Sequence, residues 1–217
     1  ESHRDHARIR IADGRQITAR HVICSLPLAA LRSGVAIDPP LEGSQAEAFA
    51  RLPYQPVTQV FLAPKRPFWE DDGHAPSLFT DTPAGMVTAV RRGDDPAVIS
   101  HLSCWVVGAE ADRMASLSGQ AVGSRVIEAI EAVRPAARGQ LDLIGHQAWG
   151  TDPYAGGAWA YFRPGQVRKF AAGMGRSHGR IHFCGEHLAQ AGRGLEGALE
   201  TAENAVGKIL SIELPVI

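Results

Sequence analysis

The segment Gly192-Arg193-Gly194-Leu195-Glu196-Gly197 spells G-x-G-x-x-G, the pattern in which a glycine-rich turn lays backbone N–H groups against a dinucleotide pyrophosphate. That chemistry requires a strand ending just before the first glycine, a helix opening on the turn, and a second strand with an acidic side chain about 20 residues on. Here the preceding apolar run ends at Cys184, several residues too early, and only residues 213–217 follow the helical stretch. The dinucleotide fingerprint is therefore set aside. A glycine turn feeding a helix still leaves N–H groups unpaired, and these groups with the helix dipole favour negative charge; the competing reading is a plain turn before a surface helix. A second cluster, His178, His182, Cys184 and His187, has zinc-ligand types. It overlaps the pair Gly185-Glu186 and lacks any C-x-x-C or H-E-x-x-H companion, so no metal is expected. No G-x-S-x-G elbow supports a serine hydrolase.

The elements that must position these residues alternate between strand and helix patterns. Residues 7–11 alternate, Asp13-Gly14 marks a hairpin, and residues 16–20 return as its second strand. Residues 21–26 form a short apolar run suited to a buried strand, and Pro27 ends it before a helical turn at 28–31. Beyond Pro39-Pro40, residues 41–51 read as a helix with Ala46, Phe49 and Ala50 on one face. Strands are expected at 57–62, 77–79, 86–90, 97–107, 141–149 and 181–184. Residues 119–133 read as an amphipathic helix on Val122, Val126, Ile130 and Val133, stopped by Pro135. The strongest helical stripe is Leu195, Ala198, Leu199, Ala202, Val206, Ile209 and Leu210. Mixed strands and helices place the chain in the α/β class, with no internal repeat.

Bulk properties narrow the partners. The 217 residues suffice to bury a core, 45% are apolar, and the formal charge is −1 with basic residues scattered. Neither a nucleic-acid nor a membrane partner is expected, since no basic patch and no apolar run of about 18 residues is present. Three well-separated cysteines, Cys24, Cys104 and Cys184, do not form a disulfide framework and favour a reducing, cytoplasmic setting. A strand pattern beginning close to Glu1 with no leader suggests a fragment, a processed subunit or a trimmed chain.

Five segments in order resemble the flavin-containing amine oxidase family, which includes monoamine, polyamine and L-amino-acid oxidases. They are Asp13-Gly14 with the strand to Pro27-Leu28; Ile37-Asp38-Pro39-Pro40-Leu41; residues 57–69 ending in Phe68-Trp69; WGTDPYAGGAWAYFRPG at 149–165; and IHFCGEHLAQAGRGLEGALETAENA at 181–205. The last two are the specific ones. The resemblance implies a glutathione-reductase-like FAD-binding domain, discontinuous and only partly present, built from residues 1–40 and 178–217. It also implies a mixed-sheet α+β substrate domain at 41–177. The family's first FAD segment would precede Glu1.

Carried over by position, the resemblance puts Gly185 and Glu186 beside the FAD diphosphate and ribityl chain. The backbone N–H of Leu195, after Gly194, would face the flavin C2 carbonyl, where reduced flavin carries negative charge. Trp159 would form one wall of an aromatic cage that holds an amine by stacking and cation–π attraction, and Trp149 would pack near the flavin or under the loop after it. For each the bland alternative is a core or turn residue. Three departures stand out. The second cage wall is Gly194, which widens the substrate pocket. The position of the flavin-linking cysteine of monoamine oxidases is Ala158, so FAD is expected to be non-covalent. The lysine that holds a water against flavin N5 is replaced by Gln59, which can hold a water but carries no ammonium charge, so an acceptor other than O₂ is open.

The implied reaction is oxidation of a C–N bond in a small-molecule amine or amino acid, hydride passing to flavin and the imine product then being hydrolysed. The alternative is a non-catalytic fragment or subunit that keeps the fold and needs a complementary N-terminal chain or segment to bind FAD. A homo-oligomer is left open.

Overall fold

A computed structural model describes residues 1–93, 95 and 98–214. In chain order the elements are β1 (Ala7–Arg10), β2 (Gln16–Ala19), β3 (Val22–Cys24), α1 (Leu28–Arg32), α2 (Gly43–Arg51), β4 (Val57–Pro64), α3 (Trp69–Asp72), β5 (Leu78–Phe79), β6 (Met86–Arg91), β7 (Ile99–Val107), α4 (Ala109–Met114), α5 (Gly119–Val133), β8 (Leu141–Ala148), α6 (Gln166–Phe170), β9 (Ile181–Phe183) and α7 (Leu195–Glu213). Short 3₁₀ turns lie at Pro135–Ala137, Trp149–Thr151 and Glu186–Leu188. Ala97, where a strand was expected to begin, lies outside the described residues. The chain divides into two compact units, Glu1–Tyr54 with Pro153–Ile217, and Gln55–Asp152. Residues 41–54 and 153–177, expected in a substrate region, cluster with the terminal segments.

The central unit is a five-stranded antiparallel sheet in the order β5-β6-β7-β4-β8. Alternation along β4 sends Val60 and Leu62 into the core, where Leu102 and Cys104 of β7 meet Val122, Val126 and Ile130 of α5. Ser118 caps α5 by accepting from the Ala121 N–H at 3.3 Å. Val133, expected on the buried stripe, is 49% exposed, because the helix ends there and its neighbour takes over the inward position. That neighbour, Arg134, is only 6% exposed. Its guanidinium donates to both carboxylate oxygens of Asp72 at 2.9 Å and to the Ala75 carbonyl at 2.6 Å, and lies 5.2 Å from the Phe68 ring centre. The Arg134 hydrogen bonds hold the Asp72 carboxyl down at about 2. Removing one partner strands the other. Arg134→Met is therefore expected to lower the thermal midpoint of this unit by roughly 10 °C. The difference from the parent should persist above pH 4 and shrink as the pH falls toward 2, because a depressed carboxyl contributes only while ionised. Differential scanning calorimetry at pH 7 and pH 2.5 measures both; equal midpoints at pH 7 would deny the pair a stabilising role.

The terminal unit holds the β1-β2 hairpin and a two-stranded parallel sheet, β3-β9, in register Val22 to Ile181 and Cys24 to Phe183. Leu28, Phe49, Leu52, Ala160, Phe170, Met174, Ile181 and Phe183 make its core. The buried face of α2 is Gln45, Ala48 and Phe49, one residue out of phase with the expected Ala46, Phe49 and Ala50. The cause is Gln45, whose amide donates to the carbonyls of Met174 (3.2 Å) and Arg176 (2.6 Å) and so turns inward. The larger correction concerns α7. Its expected core stripe faces out, with Leu195 71%, Leu199 56% and Leu210 51% exposed, while Gly197, Thr201 and Ala205 are buried. Small side chains at i, i+4 and i+8 let the helix lie close on β9 and the 186–188 turn.

The far end of α7 is tied down by a row of hydrogen bonds. Ser177 Oγ lies 2.8 Å from His182 Nδ1, His182 Nε2 lies 2.9 Å from His21 Nδ1, and His21 Nε2 lies 2.9 Å from Glu213 Oε1. Arg20 and Arg180 flank the carboxylate.

Candidate functional site

Five of the seven residues singled out from the sequence belong to the terminal unit, and three short segments carry them. The first contains Trp159, half-buried, followed by Ala160, which bridges antiparallel to Tyr54. The second leaves β9 at Cys184, whose N–H donates to the Cys24 carbonyl at 3.0 Å, and enters Gly185-Glu186. The third is the glycine loop opening α7 at Gly194.

Gly185 and Gly194 have φ of +139° and +97°, conformations that L side chains rarely adopt. A Cβ on Gly185 would lie 2.5 Å from the His187 ring. The Gly185 N–H donates to Thr201 Oγ1 at 2.9 Å, which fixes the turn against α7 sixteen residues later. His187, 3% exposed, packs edge-on to Phe49. Burial, with Arg193 and Arg32 adding, lowers its pKa to about 4, so it is neutral at pH 7.

Glu186 is the most informative residue. Its Oε1 accepts the Ala160 N–H at 3.0 Å, which joins it to the residue after Trp159. Its Oε2 is buried and has no hydrogen-bond partner. Burial raises its pKa, against smaller lowering by the Ala160 bond and Arg193. A buried carboxylate oxygen without a donor is costly, and a ligand hydroxyl would satisfy it. At the glycine loop, α7 begins with no side-chain cap, so its first-turn N–H groups remain available to an electron-rich group. The Leu195 side chain points outward and is exposed; the backbone is what this position offers.

The other two residues, Gln59 and Trp149, belong to the central unit and meet each other. Trp149 Nε1–H donates to Gln59 Oε1 at 3.3 Å, and Gln59 Nε2–H donates to Ser103 Oγ at 3.0 Å. Both ends of the Gln59 amide are thereby engaged.

The histidines and cysteine considered as zinc ligands have other roles. His178 Nε2 meets the Pro39 carbonyl, His182 sits in the row to Glu213, and His187 packs on Phe49. Among the described residues no group of three is placed to hold a metal. All three cysteines are free thiols.

Residues the sequence left unremarked complete the site. Arg193 Nη1 donates to the Glu186 carbonyl at 2.8 Å, and its guanidinium lies 5.0 Å from the Phe162 ring centre. The hydroxyl of half-buried Tyr54 accepts the Leu28 N–H at 3.2 Å. Arg193 stands between two glycines of a motif that was read for its glycines alone, and Thr201 reaches Gly185 only through the fold.

Known proteins were compared with this chain. The family model described as flavin containing amine oxidoreductase matches residues 1–210. An L-amino-acid oxidase of Bothrops moojeni is 27% identical over 201 residues, covering 90% of this chain and 39% of that protein. The chain thus spans about two fifths of the length of such relatives. In the solved structures, a triple mutant of putrescine oxidase superposes with a TM-score of 0.85 at 22% identity, over 97% of this chain and 47% of that one. Cyclohexylamine oxidase from Brevibacterium oxydans IH-35A gives 0.82 at 21% identity, over the same shares. These structural likenesses bear on the fold.

Proposed function

The chain belongs to the flavin containing amine oxidoreductase family, and from that premise we propose that its terminal unit holds FAD non-covalently and serves oxidation of a C–N bond in an amine or amino acid. The observation that carries the reading is the buried, unpartnered Glu186 Oε2. The polyol chain of FAD presents the hydroxyl donors that this atom lacks. Gly185 lets backbone approach closely, and the open first turn of α7 after Gly194 offers N–H groups, with that of Leu195 foremost, to the electron-rich edge of the ring. Trp159 supplies an aromatic face for the amine beside Glu186. When bound, FAD supplies the two-electron acceptor, and the protein's part is to hold, orient and exclude water. Three free thiols support a cytoplasmic setting.

The test is retention of flavin. Purified protein is mixed with FAD, passed through gel filtration and examined for visible absorption in the protein peak. Glu186→Gln is expected to weaken FAD binding about tenfold or more. A glutamine that keeps its oxygen on the Ala160 N–H presents N–H donors where the carboxylate presented an acceptor, so the cofactor hydroxyl must turn to accept a neutral bond in place of a charge-assisted one. A fluorescence-quenching titration measures it, and an unchanged affinity would remove Glu186 from the site.

A second reading, a non-catalytic piece that binds FAD only with a complementary chain or segment, is favoured by one observation. The apolar stripe of α7 is exposed beside a parallel sheet of only two strands. Parallel sheets are ordinarily covered on both faces and rarely stop at two strands. Folded protein that retains no flavin by itself, and gains it when the complementary polypeptide is supplied, would favour this second reading.

A further inference from the structure

We infer that Arg193 is the positioning residue of this site, a role that rests on the reading above of the terminal unit as a cofactor site. Its neighbours Gly192 and Gly194 have no side chains to fix the loop, and glycine backbone is permissive. The loop therefore needs a tether, and Arg193 is placed to supply it. Its Nη1–H donates to the Glu186 carbonyl at 2.8 Å while the flat guanidinium lies over Phe162, 5.0 Å from the ring centre. Phe162 is two residues past Ala160, whose N–H meets Glu186 Oε1 at 3.0 Å. One side chain thus joins the segment carrying Trp159, the turn carrying Gly185 and Glu186, and the loop carrying Gly194 and Leu195. The task requires a planar group that stacks and donates in its plane at once, which a lysine ammonium cannot do.

The test compares Arg193→Met and Arg193→Lys with the parent chain, by amide hydrogen exchange without cofactor and by FAD titration. The amides of Ala160, Leu188 and Ala198 report the three segments, since they donate to Glu186 Oε1, the Gly185 carbonyl and the Gly194 carbonyl. Exchange at these three should rise about tenfold or more in both variants, with amides of the central sheet unchanged as the control on folding. FAD affinity should fall about tenfold in both. Unaltered exchange at the three amides in Arg193→Met overturns the inference, and so does recovery of parental exchange and affinity by Arg193→Lys, which would assign the role to charge. If the parent retains no FAD yet the three amides loosen in both variants, the positioning role stands and the cofactor reading alone fails.

Discussion

Replacing Gly197 by alanine is expected to detach α7 from its own glycine loop. A Cβ there would lie 2.2 Å from the Gly192 carbonyl oxygen and 2.7 Å from the Ala189 Cβ. The nearer atom is backbone, so no rotamer relieves the contact and the loop must move. Overpacking of this kind costs about 3 kcal/mol. The same displacement takes Gly194 and Leu195 away from Glu186, so FAD retention should fall below detection. Gly207, on the same helix, has open space where a Cβ would go. Gly207→Ala should instead stabilise by up to about 1 kcal/mol, the ordinary difference in helix propensity. Urea unfolding of the two variants separates a steric cause from a general intolerance of α7 to substitution. Equal stability of Gly197→Ala and the parent would mean that loop and helix are not in contact.

The second large effect is an acid window set by His187. Burial lowers its pKa from 6.5 to about 4, so the folded state favours the neutral ring and the unfolded chain takes up a proton first. Stability from this residue is fully present above pH 6.5, declines as the pH falls through the window, and is lost by about pH 4. The fall corresponds to roughly 3 kcal/mol. The parent should therefore lose about that much relative to His187→Gln between pH 7 and pH 4, whatever the variant's own stability at pH 7. Parallel pH profiles from urea unfolding would refute the assignment. The native ring itself stays neutral down to about pH 4, so any loss of cofactor within this window should track only the unfolded fraction.

Where periodicity ran for several turns or a full strand, the chain was legible. The helix of α5, the strands of the central sheet and the hairpin at Asp13-Gly14 fall where their patterns put them. Elements of four to six residues, α3, α4 and α6, were not, because two turns of helix are needed before a 3.6-residue period differs from chance. Faces were less legible than elements. In α2 one buried glutamine with two carbonyl partners shifted the inward face, and in α7 small residues were buried while leucines were left outside. Hydrophobicity could not indicate either outcome, since each depends on what packs opposite. The specific motifs singled out Gly185, Glu186, Gly194 and Trp159 as candidates, whereas Arg193 and Thr201 make contacts to partners distant in sequence or on neighbouring segments. The mixed α/β fold and the family were readable from local motifs; the tethers that bring those motifs together were not.

The row from Ser177 to Glu213 can run in two directions. His21 Nε2 lies 2.9 Å from Glu213 Oε1, which can only accept, and 3.0 Å from Arg180 Nη1, which can only donate. When Nε2–H donates to Glu213, His21 Nδ1 accepts from His182 Nε2–H and the Ser177 hydroxyl donates to His182 Nδ1. When a bare Nε2 accepts from Arg180, each link turns round: His21 Nδ1–H donates to His182 Nε2, and His182 Nδ1–H donates to Ser177 Oγ. One ring nitrogen contested by two neighbours of opposite charge thus sets the sense of every dipole out to Ser177.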